Sequence, residues 1–561
     1  MTRAASSDAA AALLGAFIEL GVRHIVLSPG SRSQALALLA AEAERRELVR
    51  LHVRIDERVA GYLALGIGRE TGVPAVLICT SGTAVANLHP AVLEAHHAGV
   101  PLIAITADRP PELRGVGANQ TTRQPGIFGA AVRFETDLPV PDTLDDGSVA
   151  ALDAVRADAV AAMGAALGPG GQPAGPVHLN APYREPLAGA IPPWFDLTPD
   201  VCTQDAPAPS DTELLEPGPR TVVIAGADAG ARAEEVAHAG GWPLIAEVVS
   251  GARFGRNLVH GYRSLLAETE LAARVQRAIV FGHPTLSREV TALLSRADVQ
   301  VIAVRGPGEP LNLNGQTRAV PAVQAVPGAA DRDWTGAWMR ASREASIDLT
   351  PAAPDTRGLA SAVPEQRLTA VAAELDVIRA PIDREALVDA VWRASWPHDR
   401  LMFGSSRLVR VADRVLGGKK VPVHANRGLA GIDGTVATAF GIASASQNEG
   451  AAGVTRVLLG DLALLHDVGA LLLPPGEVQP RLQVIVGNDG GGTIFDALEV
   501  AELAAPEDLD RVMYTPHAVD LGQLAAGYGW DYLRITGRAE LDQALTSPVA
   551  RPQIIEVPLP R

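Results

Sequence analysis

Val454-Thr455-Arg456-Val457-Leu458-Leu459-Gly460-Asp461-Leu462 and Leu482-Gln483-Val484-Ile485-Val486-Gly487-Asn488-Asp489-Gly490-Gly491-Gly492 decide the fold of this chain. Each is an apolar, β-branched run closing in a turn, the pattern of a strand buried on both faces of a parallel sheet. Open α/β sheets bind ligands beyond the C-terminal ends of their strands, so Asp461 and Asn488 stand where a ligand would sit. An acid, an amide and a carbonyl from the Gly-rich turn make an all-oxygen set suited to Mg²⁺, which keeps diphosphate oxygens and water as its other ligands. The glycines let backbone approach a phosphate closely. Either half alone reads as an ordinary turn. Together they point to a metal–diphosphate site.

Working outward, 561 residues exceed one hydrophobic core and suit about three domains. A hydrophobic content of 47% with 20% charged residues is that of a packed globular protein. The expectation is no membrane insertion, since no apolar stretch is long enough to span and the N-terminus lacks a signal pattern. Cys79 and Cys202 are the only cysteines and lack metal-site spacing, which suits a cytoplasmic setting. A net charge of −16 argues against nucleic acid as a partner. Lys419 and Lys420 are the only lysines, and neither lies in a P-loop context, which excludes that class of nucleotidase.

Residues 1–190 alternate strand and helix. A helix over Ala9–Leu20 is followed by strands at His24–Leu27, Leu51–Ile55, Ala75–Cys79, Leu102–Thr106 and Val177–Asn180, which predicts a parallel sheet covered on both faces. A Pro-rich passage, Pro182–Pro219, marks a boundary. A central α/β domain over 191–350 carries strands at Thr221–Ala225, Pro243–Ile245, Ala278–Phe281 and Val299–Val304. Its Gly226-Ala227-Asp228-Ala229-Gly230 hints at a dinucleotide fingerprint but lacks the full G-x-G-x-x-G pattern and a matching downstream acid. Residues 351–380 read as a linker with some helix, and 381–561 as a third doubly wound domain. The fold class is therefore α/β, with three doubly wound domains built on parallel sheets.

The acid and amide segments resemble the thiamine diphosphate–magnesium motif, Gly-Asp-Gly followed by Asn-Asn. Leu462 stands where most families have Gly, and Asp489 where many have a second Asn. The resemblance implies that Asp461, Asn488 and the Gly490 carbonyl hold the ion, with Gly460 and Leu462 beside the cofactor. Thiamine chemistry also needs a glutamic acid to hydrogen-bond the pyrimidine ring and promote deprotonation of the thiazolium carbon. Glu57, in Asp56-Glu57-Arg58 between a strand and a helix, is the candidate; on its own it is an ordinary acid at a helix start. Thr80-Ser81-Gly82 closes a strand with a turn that opens a helix, a cradle for a ring or phosphate.

Arginines recur at strand ends and in Gly turns, where carboxylates can be gripped bidentately. Each alone is more often a surface ion pair. His96-His97 reads as structural.

Across nearly the whole chain these segments resemble the 2-succinyl-5-enolpyruvyl-6-hydroxy-3-cyclohexene-1-carboxylate synthase family of thiamine diphosphate enzymes in menaquinone biosynthesis. The resemblance is carried by Ser28-Pro29-Gly30-Ser31-Arg32-Ser33, Asp56-Glu57-Arg58, Thr80-Ser81-Gly82-Thr83-Ala84, Thr106-Ala107-Asp108-Arg109-Pro110-Pro111-Glu112-Leu113, Gly117-Ala118-Asn119-Gln120, Asn426-Arg427-Gly428-Leu429-Ala430-Gly431-Ile432-Asp433-Gly434 and Gly460-Asp461-Leu462. In that family a Leu after the metal-binding Asp is normal. The resemblance implies thiamine diphosphate with Mg²⁺ or Mn²⁺, decarboxylation of 2-oxoglutarate, and 1,4-addition of the resulting four-carbon unit to isochorismate. It implies Ile432 as the apolar prop under the cofactor, with Ile494 beside it. By the same resemblance Ser31, Arg32, Arg109, Gln120, Ser406, Arg410, Arg427 and Phe495 match positions that line the substrate pocket, joined more loosely by Arg288. It further implies a homodimer or homotetramer in which Glu57 of one subunit meets Asp461 of another. The rival enzyme is another thiamine-dependent 2-oxoacid carboligase, such as an acetohydroxyacid synthase. The rival of another class is a cofactor-binding regulator, which could dispense with Glu57.

Overall fold

The computed structural model describes residues 3–141, 146–168, 172–195, 211–326, 328 and 331–561. The apolar runs become strands of three parallel sheets, because each is covered by helices on both faces and must be hydrophobic throughout. In the first sheet the strands are β1 (His24–Leu27), β2 (Arg50–Val53), β3 (Ala75–Cys79), β4 (Leu102–Asp108), β5 (Glu135–Asp137) and β6 (Pro176–Pro182), in the order β2-β1-β3-β4-β6-β5. A two-stranded piece pairs β7 (Thr212–Leu215) with a later strand. The central sheet takes β8 (Thr221–Ala225), β9 (Leu244–Ala246), β10 (Arg277–Phe281), β11 (Gln300–Val304) and β12 (Arg318–Val320), ordered β12-β11-β10-β8-β9, and β13 (Ala322–Ala325) is the partner of β7. The last sheet comprises β14 (Arg400–Phe403), β15 (Val423–His424), β16 (Thr455–Gly460), β17 (Leu482–Asn488), β18 (Asp531–Arg534) and β19 (Gln553–Pro558). Its order, β15-β14-β16-β17-β19-β18, repeats that of the first sheet strand for strand.

The first and last units share one apolar core, built where the helix Glu57–Thr71 crosses the helix Thr435–Ser446. These are equivalent helices in the repeated topology, each standing between the second and third strands of its sheet. They approach backbone to backbone. A Cβ on Gly66 would collide with the Thr438 carbonyl, and one on Gly441 with the Leu63 carbonyl. Only glycine permits that approach. The crossing fixes two site segments at once, because Glu57 opens one helix and Ile432 lies just before the other.

The strand expected over Leu51–Ile55 ends at Val53; the chain turns there toward the helix, leaving Ile55 74% exposed. In the first two units four strands escape the sequence pattern: β5, β7, β12 and β13. All are three or four residues long and only partly buried, so they lack an apolar run. The expected linker contains the helices Thr356–Leu359 and Pro364–Arg379. Gly226 is a packing glycine: a Cβ there would overlap the backbone of His283 and Pro284. Cys79 is buried, while Cys202 and part of the Pro-rich passage lie outside the described residues. No helix among the described residues is long and apolar enough to cross a membrane.

Candidate functional site

Strand register brings the acid and the amide together. Gly460 of β16 pairs with Gly487 of β17, so Asp461 and Asn488, one residue further along each strand, emerge side by side. Asp461 is almost wholly buried. Its Oδ1 accepts the Leu462 amide at 2.8 Å, and its Oδ2 accepts the Gly491 amide at 2.8 Å and His517 Nε2 at 3.0 Å. Burial pushes its carboxyl above the ordinary range; the Leu462 amide opposes that, Asp489 adds to it, and His517 opposes it. Asn488 Nδ2 donates to Glu556 at 2.7 Å, and its Oδ1 accepts the Gly490 amide at 3.1 Å, which fixes the oxygen toward the turn. The Tyr532 hydroxyl holds Glu556 in turn.

Asp489, the departure from the usual second Asn, points away from this group. Its Oδ2 accepts Arg384 Nη2 at 2.6 Å and the Thr493 hydroxyl at 2.5 Å. It braces the turn, which leaves Asp461, Asn488 and the Gly490 carbonyl as the oxygens that could hold a cation. Gly490 has φ of +70°, a left-handed conformation that favours glycine. Among the described residues no three His, Cys, Asp or Glu side chains gather to hold an ion. A cation here would therefore rest on this acid, amide and carbonyl, and take its remaining ligands from water and a diphosphate. The set fits: a buried carboxylate whose charge is disfavoured by its surroundings is one that a divalent ion stabilises.

The loop Asn426–Gly434 overlooks the last sheet and is pinned from three sides. Glu94 accepts the amides of Gly428 and Leu429 at 2.8 Å each. The Tyr62 hydroxyl donates to Asp433, and a Cβ on Gly434 would overlap the Tyr62 ring. Asp467 Oδ2 accepts the amides of Val436 and Ala437 at 2.8 and 3.0 Å, capping the helix that follows. Held this way, Ile432 stays 38% exposed. The arrangement presents an apolar side chain outward on a rigid support.

Arg427, in the same loop, is buried and donates to the Thr285 hydroxyl and to the Ser405 hydroxyl. Arg410 stands near it and near Arg263 and Arg288, whose charges add to burial in holding its guanidinium below the usual range. Ser406 caps the helix Arg407–Val415, and Arg407 pairs with Asp496 at 2.6 Å. Arg288 opens a helix with its side chain largely exposed, 3.7 Å from Glu499, while Glu289 faces Arg263. Ile494 and Phe495, half-buried, follow the glycine turn.

A second group forms at the strand ends of the first sheet. Arg109 donates to the Ser81 hydroxyl, and to the Gln120 carbonyl at 2.9 Å; Gln120 Nε2 returns a hydrogen bond to the Ser81 carbonyl at 3.0 Å. The Gly82 amide donates to Gln124 at 3.0 Å. The Arg32 amide donates to the Thr80 hydroxyl oxygen at 3.3 Å and its Nη1 donates to the Tyr183 carbonyl at 3.1 Å, while its buried Nε has no hydrogen-bond partner. Ser31 is exposed beside it. Burial, then Arg109, lower the Arg32 guanidinium. Glu57 begins its helix behind the Asp56 cap, which accepts the Arg58 amide at 2.8 Å. Glu57 is half-buried rather than enclosed by apolar residues. Its charge reaches Cys79, whose thiol burial already pushes up. Among the described residues no hydrogen bond or ion pair joins this group to the one around Asp461.

His96 is structural, with Nδ1 2.9 Å from the Ala131 carbonyl. His517, Glu556, Arg384, Glu94, Asp467 and Thr285 were not legible as site residues. Of these only Glu556 carries a signal, an acid inside an otherwise apolar buried run.

Residues 7–127 match the family described as "Thiamine pyrophosphate enzyme, N-terminal TPP binding domain". A curated relative from Leifsonia xyli subsp. xyli, named 2-succinyl-5-enolpyruvyl-6-hydroxy-3-cyclohexene-1-carboxylate synthase, is 54% identical over 99% of this chain and 97% of its own length. The chain belongs to that synthase family. A relative of the same name from Clavibacter michiganensis subsp. michiganensis is 53% identical, covering 99% of this chain and 96% of its own. Among solved structures, benzoylformate decarboxylase from Polynucleobacter necessarius superposes with a TM-score of 0.64 at 14% identity, over 98% of each chain. That likeness extends the fold match to the full length. The chain is thus a thiamine diphosphate-dependent enzyme with the three-sheet α/β fold of that class, and the acetohydroxyacid synthase alternative gives way to the synthase family.

Proposed function

We propose that this enzyme decarboxylates 2-oxoglutarate and adds the four-carbon product unit, in the 1,4 sense, to isochorismate, giving 2-succinyl-5-enolpyruvyl-6-hydroxy-3-cyclohexene-1-carboxylate in menaquinone biosynthesis, in the cytoplasm. The observation that carries this reading is the pairing of Asp461 with Asn488 at adjacent strand ends, in a chain 54% identical to a relative of that name. The three parallel sheets support a division into domains at 1–190, 191–350 and 381–561, with a linker at 351–380.

Bound thiamine diphosphate supplies an electron sink for the carbon freed by decarboxylation. Asp461, Asn488 and the Gly490 carbonyl hold its Mg²⁺ (or Mn²⁺), with Gly460 and Leu462 alongside. Ile432 would supply an apolar support for the bound cofactor, and Ile494 would lie beside it. Glu57 holds a proton against the pyrimidine ring, and Thr80, Ser81 and Gly82 form the rim of its pocket. Ser31, Arg32, Arg109, Gln120, Arg288, Ser406, Arg410, Arg427 and Phe495 bind the substrates. Two polyanionic substrates need such guanidinium groups in a protein that is otherwise acidic.

Among the described residues no hydrogen bond or ion pair joins the two residue groups within one chain, which agrees with a homodimer or homotetramer whose sites lie between subunits. Glu57→Gln and Asp461→Ala chains, each inactive alone, should regain partial activity when mixed, because one of the two sites in a mixed dimer is intact. The deciding experiment supplies purified protein with thiamine diphosphate, Mg²⁺, 2-oxoglutarate and isochorismate, and follows loss of isochorismate. Turnover of pyruvate without turnover of 2-oxoglutarate would overturn the reading.

A further inference from the structure

The arginine pocket is braced from the central unit by one buried acid. Glu247 follows β9 and is fully enclosed. Its Oε1 accepts the amides of Thr285 at 2.8 Å and Leu286 at 2.7 Å. Thr285 in turn takes up Arg427: its hydroxyl accepts Nε at 2.9 Å and Nη2 at 2.8 Å, and its carbonyl accepts Nη2 at 3.2 Å. With Nη1 on Ser405 at 3.2 Å, the guanidinium plane is fixed on two edges. The other oxygen of Glu247, Oε2, is buried with no hydrogen-bond partner. Nearby Asp413 is amply satisfied, by the Val248 amide at 2.8 Å, the Tyr262 hydroxyl at 2.5 Å and Arg253 at 3.4 Å. Burial and Asp413 together push the Glu247 carboxyl up, and its hydrogen bonds and Arg427 pull it back. A half-satisfied buried acid is unfavourable for folding by itself, so its value lies in what it holds.

We propose that Glu247 is a positioning residue for substrate binding: through Thr285 it sets the plane of Arg427, and thereby the grip on the substrate carboxylate that Arg427 takes. The inference rests on Arg427 being a substrate ligand. What the loop needs from residue 247 is one acceptor oxygen of the right reach. Gln supplies it, and Ala does not.

The test compares Glu247→Ala, Glu247→Gln, Thr285→Val, Arg427→Ala and the Glu247→Ala/Arg427→Ala double variant. Glu247→Ala and Thr285→Val should each raise KM for one substrate by ~10-fold, the worth of one hydrogen bond. Their kcat should change less, and thiamine diphosphate affinity by calorimetry should stay within about two-fold, the ordinary scatter of distant sites. Glu247→Gln should restore the wild-type KM. The double variant should be no worse than Arg427→Ala alone. Hydrogen exchange at the Thr285 and Leu286 amides should speed up in Glu247→Ala and stay slow in Glu247→Gln. A Glu247→Ala enzyme with unchanged KM, or one whose defect multiplies with that of Arg427→Ala, overturns the inference. An Arg427→Ala enzyme with unchanged KM instead overturns the reading of the pocket on which it stands.

Discussion

Asp467 gives the sharpest quantitative prediction. It is fully buried, caps the helix Thr435–Ser446 through two backbone amides, and leaves its Oδ1 unpaired. Burial raises its pKa from 3.8 to about 7; the amides of Ala437 and Val436 and the charge of Arg58 oppose this, and Asp433 adds to it. Because the folded pKa lies above the unfolded one, the folded protein binds the proton more tightly. The stability contribution is fully present below the unfolded pKa and is lost as pH rises through the folded one. A shift of about three units corresponds to ~4 kcal/mol in full, of which about 3 kcal/mol is lost between pH 5 and pH 8. Asp467→Asn keeps an acceptor for the two amides and removes the charge. Thermal melting of wild type and Asp467→Asn across this range should show the variant gaining steadily on wild type as pH rises, with its advantage greatest at pH 8. Parallel pH profiles for the two proteins would refute the argument, because they would mean that Asp467 titrates alike in folded and unfolded chains.

Three further outcomes follow from the geometry. Gly441→Ala sets a Cβ against the Leu63 carbonyl, a backbone atom that cannot swing aside, and should cost at least ~1–3 kcal/mol, read as a lowered Tm. Glu57→Gln should bind thiamine diphosphate normally by calorimetry yet lose ~10²–10⁴-fold in turnover, the range for a lost general acid–base group. Arg384→Ala removes the partner of Asp489 and should loosen the glycine turn. Thiamine diphosphate binding should weaken by roughly ten-fold, equivalent to 1–2 kcal/mol for a charged group left unpaired, as measured by titration calorimetry.

Periodicity revealed the buried parallel strands because they are apolar along their whole length, whereas the short edge strands carry no such signal. The segments at strand ends were legible for a similar reason: Gly460-Asp461 and Gly487-Asn488 interrupt apolar runs at the place where ligands gather. What surrounds them was not. Arg384 and His517 lie about a hundred and thirty positions apart in the chain, and no local pattern tells which of many such residues will reach Asp489 or Asp461. Glu94 and Thr285 are similar cases, since each acts on a loop supplied by a different sheet. Asp489 shows the limit from the other side: by composition it belongs with the metal ligands, and only its ion pair with Arg384 assigns it to bracing the turn.

The meeting of Gly66 and Gly441 makes the chain a partner to itself. Each unit presents the same helix to the other, much as two identical protomers would about a dyad, but peptide linkage holds them in permanent register. Neither glycine can acquire a side chain unless the opposite helix withdraws, and withdrawal would carry Glu57 and Ile432 with it. The two halves carry different chemistry at their strand tips and are tied, at this one crossing, to a common geometry.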